Sequence, residues 1–271
     1  MIIIGEKING AIPSVKEAIA ARDADLIKAR TLAQAAAGAD FLDCAPSTAT
    51  ELEYDAMVWL IDTMQSITDT RLCIDSPNAE LLARILQEGH VKRPGMVNSV
   101  NEEGTKCETI FPIIAGTDWE VIGLTCDKDG IPADPAKKLE IAKRIIDKAD
   151  RYGVALGKLH IDPCVMALAT MPSAMEDFAA CIRGIHEYAP QVKVTGAISN
   201  ISFDMPARKY VNSACMAYAL KAGLDSAILD PCSQDMMGAV YAAEALLTKD
   251  KGGRKYNRAY RKGLFGKKEW T

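Results

Sequence analysis

The chain has 271 residues, 49% of them apolar and 25% charged, enough to bury a sizeable core in one large domain or two small ones. Its net charge of −4 argues against a nucleic-acid binder, and no apolar run approaches the ~20 residues of a membrane span. The eight cysteines lie no closer than 17 positions apart. That spacing excludes a Cys-x-x-Cys redox or zinc motif and predicts reduced, buried thiols in a cytoplasmic protein. The opening "MIIIGEKING" is too short and too soon charged to read as a signal peptide.

Short apolar runs alternate with segments of helical spacing. The runs are Ile2–Ile4, Phe41–Leu42, Leu72–Ile74, Met96–Val97, Val121–Leu124, Leu159–Ile161, Val192–Ala197 and Ala227–Leu229. After the first run, "LIKARTLAQAAAGAD" reads as a helix ending near Gly38. After the second, "EYDAMVWLIDTMQSI" puts Met57, Leu60, Ile61 and Met64 on one stripe. "DPAKKLEIAKRIIDKADRYG" starts with Asp-Pro and stops at Gly153, and "PSAMEDFAACIRGIHEYA" and "MMGAVYAAEALL" repeat the plan. Eight such units in about 250 residues predict a (β/α)8 TIM barrel. A doubly wound open sheet usually carries a Gly-rich phosphate turn after its first strand, and "GEKING" supplies none.

The predicted barrel spans residues 1–248, and residues 249–271 form a separate basic, aromatic tail. Lys249 to Lys268 hold nine Lys or Arg against one Asp, interleaved with Tyr256, Tyr260, Phe265 and, beyond them, Trp270. A solvated tail anchored on the barrel by its aromatic residues is the plain expectation; a surface for an acidic partner is the sharper one.

In such a barrel the active site lies at the C-terminal strand ends. The runs are followed by Glu6 and Asn9, Asp43, Asp75 and Ser76, Asn98 and Ser99, Thr125 and Asp127, Asp162, Ser199 and Asn200, and Asp230. Ser76 and Asp230 also fit the plainer role of helix caps. A ring of carboxylates and amides suits a flat heterocycle rich in N–H donors. Phosphate sugars would want Gly-rich loops with Arg or Lys near the last two strands, where Arg208 and Lys209 lie several residues too far. The scattered His90, His160 and His186 predict no bound metal, and His160 is read as facing away from the lumen. No Gly-x-Ser-x-Gly elbow appears, and no Cys has a plausible His partner. No strand end is read as carrying the lysine of a barrel aldolase.

Six motifs come in order at strand ends: "IIIGEKING", "RLCIDS", "MVNSVN", "IGLTCDKDGIP", "LHIDP" and "SNISF". Together, over Met1 to about Leu247, they resemble the pterin-binding methyltransferases that move a methyl group between tetrahydrofolate and a corrinoid protein. That group is related to the folate module of cobalamin-dependent methionine synthase. The resemblance implies that Asp75, Asn98 and Asp162 hold the pterin ring, with Asp43 matching the family's second-strand acid. It also implies that Asn200 reaches the methyl-bearing nitrogen, with Ser199 beside it. Ala45 departs from the pattern, since relatives usually carry Asn there; Phe203 matches methionine synthase, and Arg208 stands where relatives often have arginine. Glu6, Asn9 and Arg208 are further candidates.

The implied substrate is tetrahydrofolate or methyltetrahydrofolate, the implied partner a separate corrinoid protein docking at the barrel mouth, and the implied assembly a homodimer. The reaction would be a displacement at a methyl carbon, within O-demethylation or acetogenic one-carbon metabolism. Alternatives are the methyltetrahydrofolate-consuming direction of acetyl-CoA synthesis and a non-catalytic pterin-binding scaffold subunit. Dihydropteroate synthase would need a lysine in the seventh-strand loop and an arginine near the eighth, and "SNISF" and "ILDPCS" supply neither.

Overall fold

All eight apolar runs become parallel strands in the computed structural model, which describes residues 1–266. They are β1 (Ile2–Gly5), β2 (Phe41–Cys44), β3 (Arg71–Asp75), β4 (Met96–Glu102), β5 (Glu120–Asp127), β6 (Leu159–Asp162), β7 (Lys193–Val194) and β8 (Ser226–Leu229). Their order is β7-β6-β5-β4-β3-β2-β1-β8. The ring closes where Ala197 bridges Ile228 and where Asp225 N–H and Ile228 N–H donate to Val194 O and Gly196 O, each at 3.0 Å. This is the predicted (β/α)8 barrel.

The helices are α1 (Pro13–Ala21), α2 (Ala24–Ala36), α3 (Thr50–Gln65), α4 (Ala79–Gln87), α5 (Lys106–Ile114), α6 (Pro135–Arg151), α7 (Ala174–Tyr188), α8 (Arg208–Ala222), α9 (Gln234–Leu246) and α10 (Arg254–Arg261). The α3 stripe of Met57, Leu60, Ile61 and Met64 is fully buried. Asp134 caps α6 by accepting from Ala136 N–H, with Pro135 as the first helical residue. Two capping assignments change. Asn78, not Ser76, caps α4, and Ser233, not Asp230, caps α9. Ser76 and Asp230 sit on the strand side of those caps, where their oxygens accept from Asn78 N–H and Cys232 N–H and turn the chain.

Because side chains alternate along a strand, the lumen fills in layers. Ile4, Phe41, Cys73, Met96 and Ile122 form a closed apolar layer inside the ring. Two residues further along their strands stand Glu6, Asp43, Asp75, Asn98 and Leu124, and the same step carries His160 to Asp162. The alternation that seals the barrel below thus puts a polar tier on top. His160 therefore faces inward, against the expectation from sequence. It is fully buried, with Nε2 2.8 Å from Glu120 Oε2 and Nδ1 2.7 Å from Ser226 Oγ.

Below that layer Glu120 is the hub of the barrel floor. It also meets Lys193 Nζ at 2.9 Å and Arg71 Nη1 at 3.0 Å, while Arg71 lies over the Phe41 ring at 4.0 Å. Burial pushes the Glu120 carboxyl up, but hydrogen bonds from His160 and Lys193 outweigh it and hold it at about 2. Burial keeps the His160 imidazole below its usual range, so Nε2–H donates to Glu120 and Nδ1 accepts from Ser226.

In the tail, Asp250 accepts from Lys255 N–H and Tyr256 N–H at the start of α10. Phe265 is buried among Tyr241, Tyr256 and Tyr260, with centroids 4.8–5.9 Å away. Trp270 lies outside the described residues. The α10 helix lies near the floor, not the mouth, since Glu244 pairs with both the Met1 ammonium and Lys255.

Glu120→Gln leaves the part-exposed Arg71 and Lys193 without their shared counter-ion, and chemical unfolding at pH 7 should show a loss of about 1–3 kcal/mol. The wild-type advantage should shrink as pH falls from about 4 toward 2, because a carboxyl held low when folded stabilises only while ionised. Equal unfolding midpoints at pH 7 would contradict the role given to the floor.

Candidate functional site

The polar tier opens into two adjoining cavities at the C-terminal mouth, of about 410 and about 490 Å³. Asp75, Ala197, Asn200 and Ile228 line both. Asp43, Glu6, Asn9 and Ser199 border the first, and Asn98 and Asp162 the second. The mouth thus gathers eight of the nine residues singled out from sequence. Arg208 stands just outside, beside a third cavity that shares Glu6, Ser199 and Phe203.

Each position has a local cause. Asp75 and Asn98 are register partners on β3 and β4, as Leu124 and Asp162 are on β5 and β6. Immediately past Asn98 the β4–β5 pairing slips register, a bulge of the kind that re-aims side chains at sites. On β1, Gln34 Oε1 accepts from Lys7 N–H at 3.0 Å. A Cβ on Gly5 would lie 2.5 Å from that same oxygen, so a side chain there would push Gln34 off the contact by which α2 braces the chain beside Glu6. The next turn docks on the second-strand loop, where Gly10 N–H donates to Ala45 O at 2.8 Å. Buried Ala45 therefore serves this contact through its backbone.

Asn200 sits in a 3-10 turn, Ile198–Ser202. Arg208 ties that turn down: its Nη2 donates to Ser199 O at 2.6 Å, its Nε to Ser202 Oγ at 2.9 Å, and its guanidinium lies 4.9 Å from the Phe203 ring centre. Asp204 and Ala207 hold φ of 61° and 49°, left-handed values that cost non-glycine residues and persist where surroundings enforce them. The backbone N–H of Asn200 donates to Ala197 O at 3.2 Å, but among the described residues nothing hydrogen-bonds its side-chain amide, which is left free for a ligand.

The electrostatics share one theme: carboxylates out of water with little to neutralise them. Burial raises Asp75 to about 7, with Glu53 adding to it. Burial raises Asp162 to about 6 against the Cys164 N–H and Lys138. Asp43 is pushed well above the usual carboxylate range by burial and then by Asp75, opposed by Asn9, whose Nδ2 donates to Asp43 Oδ2 at 3.4 Å. Asp43 Oδ1 is buried with no partner. Glu6 is raised by burial and Asp230, and lowered by Lys7 and Arg208. Buried acceptors of this kind call for N–H donors from a ligand.

Three participants have no site role assigned from sequence. Lys7 lines the mouth and meets Asp230 at 3.4 Å, so one strand end does present a lysine, between the Glu6 and Asn9 picked out from sequence. Phe203 walls the cavity while about half exposed. Glu53 comes from α3 to accept from Ser76 Oγ at 2.6 Å, a pairing no local motif announces.

Since Asp75 is protonated more readily when folded, its charge erodes stability as pH climbs from about 4 to 7. Asp75→Asn should therefore gain on the wild type in Tm across that window and show no gain below it. A Tm difference independent of pH would contradict the burial account.

A pterin binding enzyme family matches residues 8–230. Over 268 residues, covering 98% of both chains, the sequence is 45% identical to a methylcorrinoid:tetrahydrofolate methyltransferase of Eubacterium limosum. It is 29% identical to methionine synthase of Mycobacterium tuberculosis over 84% of its own length, spanning 20% of that larger protein. Among solved structures, dihydropteroate synthase of Xanthomonas albilineans in complex with 7,8-dihydropteroate superposes with a TM-score of 0.68 at 17% identity, over 91% of this chain and 92% of that one. The Yersinia pestis enzyme with a pterine-sulfa conjugate gives 0.65 at 16%, over 91% and 94%; both show the shared fold alone. By its fold and its sequence, the chain belongs to the pterin-binding enzymes.

Proposed function

We propose that this protein is a methyltransferase that moves a methyl group between the cobalt of a separate corrinoid protein and the methyl-bearing pterin nitrogen of tetrahydrofolate, in the sense methylcorrinoid to tetrahydrofolate. The observation that carries the reading is the tier of buried acceptors, with the orphaned Asp43 Oδ1, whose missing complement is a flat ring with several N–H donors. The amino-pyrimidine edge of a pterin supplies them. The full-length relative named for methylcorrinoid and tetrahydrofolate supports the donor, the acceptor and the direction.

In this reading Asp75 and Asp162 accept from the pterin N–H groups, Asn98 both donates and accepts, and Asp43 with Asn9 completes the rim. Donors arriving at these carboxyls favour their ionised forms. The corrinoid supplies the cobalt that carries or accepts the methyl group. The chain's own task is to orient the ring and to hydrogen-bond the one nitrogen whose charge changes, and the free amide of Asn200 suits it. No thiol of the chain is suited to carry the methyl: Cys164 lines the cavity, but burial pushes it far above its usual range. Arg208 fixes the turn that presents Asn200, and Ser199 contributes the carbonyl Arg208 grips.

The finer assignments are also proposals: a place in O-demethylation, a cytoplasmic setting, and a homodimer. The methylcorrinoid donor in the relative's name supports the first. The absence among described residues of a helix able to cross a membrane is compatible with the second. The exposed Tyr210 and Tyr218 of α8 offer an apolar face for the third.

Asn200→Ala should lower the rate of methyl transfer by about 10²–10³-fold while leaving the tetrahydrofolate Kd, measured by calorimetry, nearly unchanged. Equal losses in rate and affinity would reduce Asn200 to a binding residue, and no tetrahydrofolate binding by the wild type would overturn the function.

A further inference from the structure

One buried cation lies behind the site, next to Asp162. Lys138 is the fourth residue of α6 and only 3% exposed. Buried lysines are rare without a dedicated partner. Its Nζ donates to a single backbone group, Cys164 O, at 2.8 Å. Cys164 itself holds φ of 56°, the left-handed region that a residue with a Cβ avoids. The N–H of that same residue donates to Asp162 Oδ1 at 2.7 Å. Asp162, Pro163 and Cys164 therefore form a tight turn whose two ends are gripped: the carboxylate by the Cys164 N–H, the Cys164 carbonyl by a buried ammonium.

We propose that Lys138 is a positioning residue for the pterin pocket, holding the strained Cys164 turn so that its N–H fixes the Asp162 carboxylate in orientation toward the ligand. The inference rests on the pterin reading for its ligand but not for its geometry. The molecule contains its own contrast. "DPC" recurs at Asp230–Cys232, after β8, and there too the cysteine N–H donates to the aspartate, at 2.9 Å. Cys232 is not among the left-handed residues, however, and it is exposed. The same three-residue sequence takes the strained form only where the lysine reaches it. Lys138 also favours the ionised form of Asp162 through space, against the burial that raises it.

An ordinary packing role would be served by the aliphatic stem alone. The orienting role needs the ammonium, and it predicts that relieving strain at Cys164 compensates for losing the lysine. Glycine adopts left-handed φ without the side-chain penalty.

The experiment compares wild type, Lys138→Met, Cys164→Gly and the double variant. In ligand-free protein, exchange of the Cys164 amide hydrogen, followed by NMR, should quicken at least about tenfold in Lys138→Met, as loss of a charge-assisted hydrogen bond implies. Tetrahydrofolate affinity, measured by calorimetry, should fall by about tenfold in the same variant, and the double variant should recover much of it. Unchanged Cys164 exchange in Lys138→Met overturns the proposal, as does a binding defect that Cys164→Gly leaves untouched. If Lys138→Met does not fold, Lys138→Gln, which keeps a shorter donor, decides by the same exchange measurement, and wild-type exchange overturns the proposal. A wild type that binds no tetrahydrofolate sinks the pterin reading, while the exchange result still judges the clamp.

Discussion

Everything at the mouth of this barrel follows from carboxylates held out of water without a matching set of cations. Strand alternation places Asp43, Asp75 and Asp162 above a closed apolar layer of Ile4, Phe41, Cys73, Met96 and Ile122, where solvent cannot hydrate them fully. A buried carboxylate must be paired, hydrogen-bonded or protonated. At the floor the fold takes the first course, surrounding Glu120 with Arg71, Lys193 and His160. At the mouth it does not, and Asp75 and Asp162 are left near neutral titration, at about 7 and about 6. The same side-chain chemistry is thus used for rigidity at one pole and for recognition at the other.

That division also explains why the chain carries little catalytic equipment of its own. Displacement at a methyl carbon needs alignment and control of charge on one nitrogen more than it needs a strong acid or base. Asn200 is neutral, its side-chain amide has no hydrogen-bond partner among the described residues, and it stands on a turn braced by Arg208 and followed by left-handed residues at Asp204 and Ala207. Rigidity in the support is what gives a neutral amide its precision.

Much of this was legible in the sequence, for identifiable reasons. Short runs of β-formers ending in Asp75, Asn98 and Asp162 announced both the barrel and its polar rim, because period-two alternation is local information. His160 could have been placed by the same rule: it stands two residues before Asp162, so if one faces the lumen the other does too. The caps were misplaced by two and three residues because Ser76 and Asp230 resemble Asn78 and Ser233 in chemistry and differ only in which side of the turn they occupy. Contacts between distant segments were not legible. Glu53 reaching Ser76, Gln34 reaching Lys7 and Lys138 reaching Cys164 each join a helix to a loop 20 or more positions away, and no spacing rule encodes them. Dihydropteroate synthases share this fold at 16–17% identity, so the architecture alone does not select the chemistry.

The most direct measurement mixes the protein anaerobically with a methylated corrinoid protein and tetrahydrofolate and follows the cobalt absorption spectrum. The account predicts loss of the methylcobalt bands with matching formation of methyltetrahydrofolate, dependent on this protein. A spectrum that stays unchanged while tetrahydrofolate binds would contradict it, and would leave a pterin-binding scaffold in place of an enzyme.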